Sequence, residues 1–163
     1  SVAGHDPVVA TVSLRQVSMK KATFSTAQEC EAAFYEALEA CDLEAMMEVW
    51  AEDEEVVCIH PGGPRLVGYE LVRDSWVQIF ASGQRLRFHL TDQSRITTVM
   101  LSIHSMHENL MLQGDDRTRH TVACTNVFVR GASGWRMVVH HASQLPEAPR
   151  SVQSEPEPPK VIH

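Results

Sequence analysis

The stretch Thr26–Trp50 reads TAQECEAAFYEALEACDLEAMMEVW, and it predicts how the chain begins to fold. Thr26 and Glu29 have the spacing of a capping box, in which each side chain accepts a hydrogen bond from a backbone amide at a helix start. Apolar residues then recur at the three- and four-residue spacing of one buried helical stripe: Cys30, Ala33, Phe34, Ala37, Leu38 and Cys41. Asp42 is placed to cap a second, shorter helix whose stripe is Leu43, Met46, Met47 and Trp50.

A short strand and a third helix are predicted after these two helices. The β-branched run Val56–His60 is typical of a strand, and the Pro-Gly-Gly-Pro segment at 61–64 forces a turn after it. Helical spacing resumes beyond that turn and ends before Gly83. The members of this third stripe are Val72, Trp76, Ile79 and Phe80.

The rest of the chain has the patterns of a β-sheet. Leu86, Phe88 and Leu90 alternate with Arg87 and His89, which indicates a half-buried strand. Three longer strands are predicted at Ile96–Leu112, Thr118–Val129 and Trp135–Ser143, with glycine-containing turns between them at 114–116 and 131–134. Helices followed by a run of strands predict an α+β fold with the helices on one face of the sheet.

Both ends of the chain are predicted to lie outside this domain. Met19-Lys20-Lys21 resembles a translation start, which sets residues 1–22 apart as an N-terminal extension. Residues 146–163 are rich in Pro, Glu and Ser, and such a segment buries too little apolar surface to fold alone. The predicted domain therefore spans residues 23–145, with a Pro/Glu-rich tail after it.

Composition excludes several classes of function. A chain of 163 residues with 44% hydrophobic content can build the core of one domain. Its net charge of -7 argues against nucleic acid, because phosphate binding needs a clustered surplus of Lys and Arg. No apolar run approaches the roughly 18 residues that span a bilayer, and no secretory apolar stretch begins the chain. We expect a cytoplasmic protein with neither nucleic-acid nor membrane partners.

The spacing of cysteines and histidines predicts no metal and no cofactor. The four cysteines lack CxxC spacing and lie within apolar segments, which favours buried reduced thiols over a zinc or disulfide framework. His104 and His107 are three residues apart on a predicted strand, so they face opposite sides of the sheet. The chain has no HExxH motif and no pair of histidines four residues apart on a helix.

Several of these segments together resemble the SnoaL-like branch of the nuclear transport factor 2-like superfamily. They are AFYEALEACDLEAMMEVW at 33–50, HPGG at 60–63, Gly68, Ser75-Trp76, TNVF at 125–128, GWRM at 134–137 and HHAS at 140–143. The resemblance implies a cone-shaped, cystatin-like fold, in which a curved antiparallel or mixed sheet wraps around the N-terminal helices. It also implies a pocket between the sheet and the helices, and dimerisation through the opposite face of the sheet.

Strand alternation restricts which side chains can line that pocket. His140 and His141 are consecutive on a strand and cannot both point inward, and the same alternation predicts that Arg136, Val138 and Ala142 share the face of His140. Similarity to the association domain of calcium/calmodulin-dependent kinases implies that His140 and Ala142 lie on the concave face, with Asn126. That domain carries anion-binding arginines where this chain has Asn126 and Ala142, which argues against an anionic ligand held in that way. The remaining candidates, each also explicable as core or as a turn contact, are Tyr35, Trp50, Trp76 and His60.

Three functions are consistent with this pocket. The leading hypothesis is a homodimer that binds a small, largely apolar ligand within the cone. The second is a cofactor-free lyase or isomerase with His60 or His140 as acid and base, since histidine titrates near pH 6.5. An isomerase of the ketosteroid type needs a carboxylate base, and the predicted strands offer almost none: Glu108 is the one mid-strand candidate, which argues against that chemistry. The third is an association module that only assembles chains.

Overall fold

Two helices begin the part of the chain that the computed structural model describes, residues 21–146. They are α1, Ala27–Ala40, and α2, Leu43–Val49. The capping box is present: Thr26 Oγ1 accepts from the Glu29 amide at 3.1 Å, and Glu29 Oε2 accepts from the Ser25 amide at 2.9 Å. Most of the predicted extension and tail, residues 1–20 and 147–163, lies outside the described residues.

Within the described residues, one further helix and six strands complete the fold, and they confirm the predicted α+β class. These elements are β1 (Val57–Ile59), β2 (Arg65–Val67), α3 (Tyr69–Ala81), β3 (Leu86–Thr97), β4 (Leu101–Leu112), β5 (His120–Gly131) and β6 (Gly134–Gln144). The strands form one open sheet in the order β2-β1-β6-β5-β4-β3. Pairing is antiparallel except between β1 and β6, which makes the sheet mixed.

The predicted strand Ile96–Leu112 was wrong at its start, because a hairpin turn lies inside it. Ile96 belongs to the end of β3 and pairs with Ile103 of β4. Thr98 forms the turn: its amide donates to the Leu101 carbonyl at 2.7 Å, and its hydroxyl accepts from the Leu101 amide at 3.0 Å. The turn carries no glycine or proline, so its sequence looks like continuous strand. Asp92 lies within β3 at φ 52°.

The core forms where α1 crosses the inner face of the sheet. Phe34 is fully buried, and its ring lies 4.8 Å from the imidazole of His140 on β6, centroid to centroid. Burying an aromatic side chain of this kind contributes about 1.5–3 kcal/mol to folding. The core therefore places α1 directly over the strands whose inward side chains are polar, β4, β5 and β6.

Strand β6 contains an irregularity that alters its predicted faces. Val127 of β5 pairs with Val139, but the next residue, Phe128, pairs with Met137, so Val138 is an extra residue on β6. His140 and Ala142 are buried and His141 is exposed, as alternation predicts. Across the bulge the face changes, so Met137 lies inside with Phe128. The prediction that Arg136 and Val138 share the His140 face was wrong for this reason.

Candidate functional site

A group of five side chains, here called the interior polar cluster, lies on the inner face of the sheet beneath α1. Its members are Tyr35, Glu108, Cys124, Asn126 and His140, and none is more than 8% exposed. The register of the sheet brings the strand residues together: Asn126 of β5 lies opposite His140 of β6, and Cys124 lies opposite Ala142. Tyr35 reaches them from α1, since its hydroxyl lies 2.5 Å from Glu108 Oε2.

Hydrogen bonds join these side chains into one network. The Tyr35 hydroxyl donates to Glu108, and Asn126 Nδ2 donates to the Tyr35 oxygen at 3.1 Å. The Asn126 carbonyl oxygen can only accept, so His140 Nδ1, 2.7 Å away, carries the proton of that imidazole. This hydrogen bond orients the imidazole of His140 and fixes a proton on its Nδ1.

Burial determines the charge state of the cluster. Desolvation lowers the pKa of His140 to about 3, helped by the nearby imidazoles of His60 and His141. Desolvation raises the pKa of Glu108, and the hydrogen bond from Tyr35 partly opposes that rise. Burial and the Glu108 carboxylate raise the pKa of Tyr35 far above its ordinary value. The His140 ring therefore stays neutral near pH 7, and the Tyr35 hydroxyl keeps its proton.

A second group of polar side chains extends the network along α1 and β4. Glu31 of α1 lies 2.9 Å from His104 Nδ1, and His104 Nε2 contacts the Ser102 hydroxyl at 2.8 Å. Asn126 Nδ2 also donates to Glu31 at 3.2 Å, so one amide connects both groups. Each of these polar side chains is buried with a partner, as the cost of desolvation requires.

Open space occurs beside His60, at the end of β1. A cleft of about 540 Å³ lies between that strand end and α3, and here it is called the His60 cleft. It is lined by His60, Pro64, Leu66, Leu71, Asp74, Ser75, Gln78 and Ile79. Ser75 uses its hydroxyl proton on the Val72 carbonyl, 2.6 Å away, so its oxygen accepts from His60 Nε2 at 3.0 Å. His60 Nδ1 is then an acceptor, and burial lowers the pKa of this ring.

The predicted site residues fall into two adjoining groups and one outlier. Tyr35, Asn126 and His140 belong to the interior polar cluster. His60 lines the cleft, and Trp76 packs edge-on against its ring with centroids 4.8 Å apart.

Trp50 lies elsewhere: it is fully buried, and it lines a different cleft together with Lys21 and Arg136. A cavity reaching His60, Asn126 and His140 together was expected. Of these three residues, only His60 lines the His60 cleft, because Phe34 and Trp76 pack over the His140 ring.

Sequence reasoning missed Cys124 and Glu31 and underrated Glu108. Glu108 has the same parity on β4 as His104 and Met106, which are buried, so alternation alone could have placed its carboxylate inside. Its contact with Tyr35 joins residues 73 positions apart and depends on helix–sheet packing that no local pattern encodes. One atom each of Glu108, Cys124 and His140 lies within 4.8 Å of the others, so three strands provide a metal-type donor set that sequence spacing does not reveal.

Comparison with known proteins places this geometry in a family. Residues 28–147 match the SnoaL-like domain model. A chain provisionally assigned as a calcium/calmodulin-dependent protein kinase type II association domain from Thiobacillus denitrificans is similar in structure at a TM-score of 0.72. It is 38% identical, over 77% of this chain and 99% of that one.

A chain provisionally assigned as a dehydratase of the NTF2-like family from Streptomyces avermitilis gives a TM-score of 0.65. It is 33% identical, over 72% of this chain and 91% of that one. F-box protein SKIP8 of Arabidopsis thaliana is 34% identical over 104 residues, which are 63% of this chain and 42% of that protein, so the chain spans less than half of this relative.

Within residues 21–146, no helix is long and apolar enough to cross a membrane. The six-stranded sheet, the helices over its inner face and the match over residues 28–147 agree with one another. The chain belongs to the SnoaL-like domain family, within the NTF2-like superfamily.

Proposed function

We propose that this chain binds a small, largely apolar ligand in the His60 cleft and acts as a homodimer. The observation that carries the proposal is the cleft itself. Its volume of about 540 Å³ is within the range of small-molecule sites, and Leu66, Leu71 and Ile79 provide apolar walls. His60 and Ser75 provide a few fixed polar groups, which is the usual composition of a ligand site.

A metabolite screen by thermal shift identifies candidate ligands, and a matched pair of variants locates them. Leu71 lines the cleft from α3 and is 53% exposed, so Leu71→Trp fills the cleft without disturbing the core. Val77 lies on the same helix, is 39% exposed and is not part of the cleft lining, so Val77→Trp is the control. We expect Leu71→Trp to weaken binding at least tenfold and Val77→Trp to leave it unchanged. If the unchanged chain and the two variants bind the ligand with equal affinity, the ligand does not bind in the His60 cleft.

The outer face of the sheet supports the homodimer. Pairing across five strands aligns a continuous row of β-branched apolar side chains on this face: Val57, Val139, Val127, Ile103 and Ile96. These residues are half-buried or exposed, and such a row on an open sheet is typical of a contact surface. We expect a light-scattering mass near twice 18.2 kDa, and Val127→Arg, at the centre of the row, to give the monomer. A monomeric mass of the unchanged chain contradicts the proposal.

A second candidate function is a cofactor-free lyase or isomerase. It is favoured by the similarity, at 33% identity, to the chain provisionally assigned as a dehydratase. The unprotonated Nδ1 of His60 would accept a proton from a ligand in the cleft. Turnover assays on any bound ligand separate the two candidates. If His60→Gln and His140→Gln keep binding and change no reaction rate, the enzyme hypothesis is wrong and the binding function stands.

A further inference from the structure

Glu108, Cys124 and His140 lie at the centre of the interior polar cluster, on three neighbouring strands. A carboxylate oxygen, a sulfur and a ring nitrogen from these residues all lie within 4.8 Å of one another. We propose that these three side chains form a binding site for a divalent transition-metal ion, with zinc as the best fit. This site does not depend on the ligand proposed for the His60 cleft.

The separation of two of the donor atoms matches that in a tetrahedral site. Zinc binds sulfur at about 2.3 Å and histidine nitrogen at about 2.0–2.1 Å, which places the two donors about 3.6 Å apart at the tetrahedral angle. Cys124 Sγ and His140 Nδ1 are 3.6 Å apart. Their spacing follows from the pairing of β5 with β6, because Cys124 lies opposite Ala142 and Asn126 lies opposite His140.

The kinds of donor atom select the class of metal. A thiolate, an imidazole and a carboxylate together suit zinc and its neighbours cobalt and nickel, whereas magnesium and calcium take oxygen ligands almost alone. Asn126 Oδ1 lies 3.3 Å from Cys124 Sγ and 2.7 Å from His140 Nδ1, so a neutral oxygen is close enough to occupy a fourth position. The set is compatible with four-coordinate zinc.

Electrostatics also favours a cation at this place. Glu108 and Cys124 are both acids, each at most 3% exposed, and the ion pairs found in residues 21–146 do not include either of them. A buried anion without a cationic partner is costly, and a divalent ion would stabilise the thiolate and the carboxylate together.

Metal binding competes with the hydrogen-bonded arrangement of the same side chains. His140 would move its proton from Nδ1 to Nε2 and stay neutral, and Cys124 would lose its thiol proton, so ion binding releases the thiol proton to solvent. The Tyr35 hydroxyl can keep its hydrogen bond to Glu108 while the carboxylate binds the ion, since a carboxylate has two oxygens. The alternative to a metal site is therefore that these side chains only form the hydrogen-bonded network and bind no ion.

The test uses the full chain, purified without a histidine tag, stripped by a chelator and titrated with Co²⁺. We expect one ion per chain, visible ligand-field bands and a near-ultraviolet thiolate-to-cobalt charge-transfer band that Zn²⁺ abolishes. Cys124→Ser should lose the charge-transfer band, and Glu108→Gln should weaken the affinity at least tenfold. Cys58→Ser is the matched control, because Cys58 is equally buried and its sulfur lies 3.5 Å from His60 Nε2.

Two results overturn the proposal. The first is a folded, stripped wild-type chain, checked by circular dichroism, that develops no charge-transfer band with Co²⁺. This result needs no variant, so a variant that fails to fold does not leave the question open. The second is a band that persists in Cys124→Ser and disappears in Cys58→Ser, which would assign the ion to the pair of Cys58 and His60.

Discussion

Replacing Asn126 with alanine should destabilise the chain by more than the small change in side-chain volume suggests. The Asn126 amide connects the interior polar cluster to the buried group around Glu31. Its Nδ2 donates to Tyr35 and Glu31, and its Oδ1 accepts from His140 Nδ1. In Asn126→Ala the His140 donor loses its partner in a fully buried position. A buried unsatisfied polar group costs about 1–3 kcal/mol, and the small cavity adds to this cost.

We therefore expect Asn126→Ala to lower the free energy of unfolding by about 2–4 kcal/mol. A domain of this size has about 5–15 kcal/mol in total, so the variant should fold and unfold at a lower midpoint. Urea denaturation followed by circular dichroism measures the change. Thr125→Ala is the control, because Thr125 is the neighbour of Asn126 on β5 and is half-exposed on the outer face. This substitution should lower the free energy of unfolding by less than about 0.5 kcal/mol. Equal costs for the two variants would refute the role given to the network.

Two further predictions concern pH and a close backbone approach. The folded pKa of His140, about 3, is below its unfolded value, so the unfolded chain binds more protons and stability should fall as pH drops from about 6.5 toward 3. In chelator-treated protein, this one group makes the free energy of unfolding change with pH by up to about 1.4 kcal/mol per pH unit. His140→Gln should remove this contribution, and His141→Gln should keep it. A Cβ on Gly134 would lie 2.6 Å from the Phe24 carbonyl oxygen, whereas one on Gly114 meets nothing within 4 Å. Both glycines have positive φ, so thermal melts should show Gly134→Ala as the more destabilised, and equal shifts would argue against the Phe24 contact.

Local patterns predicted those features of the fold that depend on neighbours in sequence. The capping box at Thr26 and the stripe through Phe34 are fixed by spacing along one helix, and the structure has both. Alternation on β6 separated His140 from His141 correctly, because residues on the His140 side of the bulge keep the period of two. The same rule failed for Arg136, since nothing in the sequence marks Val138 as the extra residue.

The candidate site was harder to predict, because its members meet only through tertiary contacts. Asn126 lies opposite His140 through strand register, and Tyr35 reaches Glu108 through the packing of α1 on β4. Single-sequence reasoning could name Asn126 and His140 through the family resemblance, and Tyr35 as an aromatic residue suited to a pocket wall. It could not show that Cys124 and Glu108 join them, because neither residue belongs to a spaced motif.

The most direct test of ligand binding at the His60 cleft is a long-range ¹H–¹⁵N spectrum of the histidine side chains during ligand titration. His60 should begin as the neutral Nε2–H tautomer, because Ser75 accepts from Nε2, and both of its nitrogen resonances should shift as ligand fills the cleft. His104, fully buried beside Glu31, should keep its resonances and serve as the internal reference. Saturable binding that leaves the His60 resonances unmoved would contradict the account, because the ligand would then occupy another part of the protein.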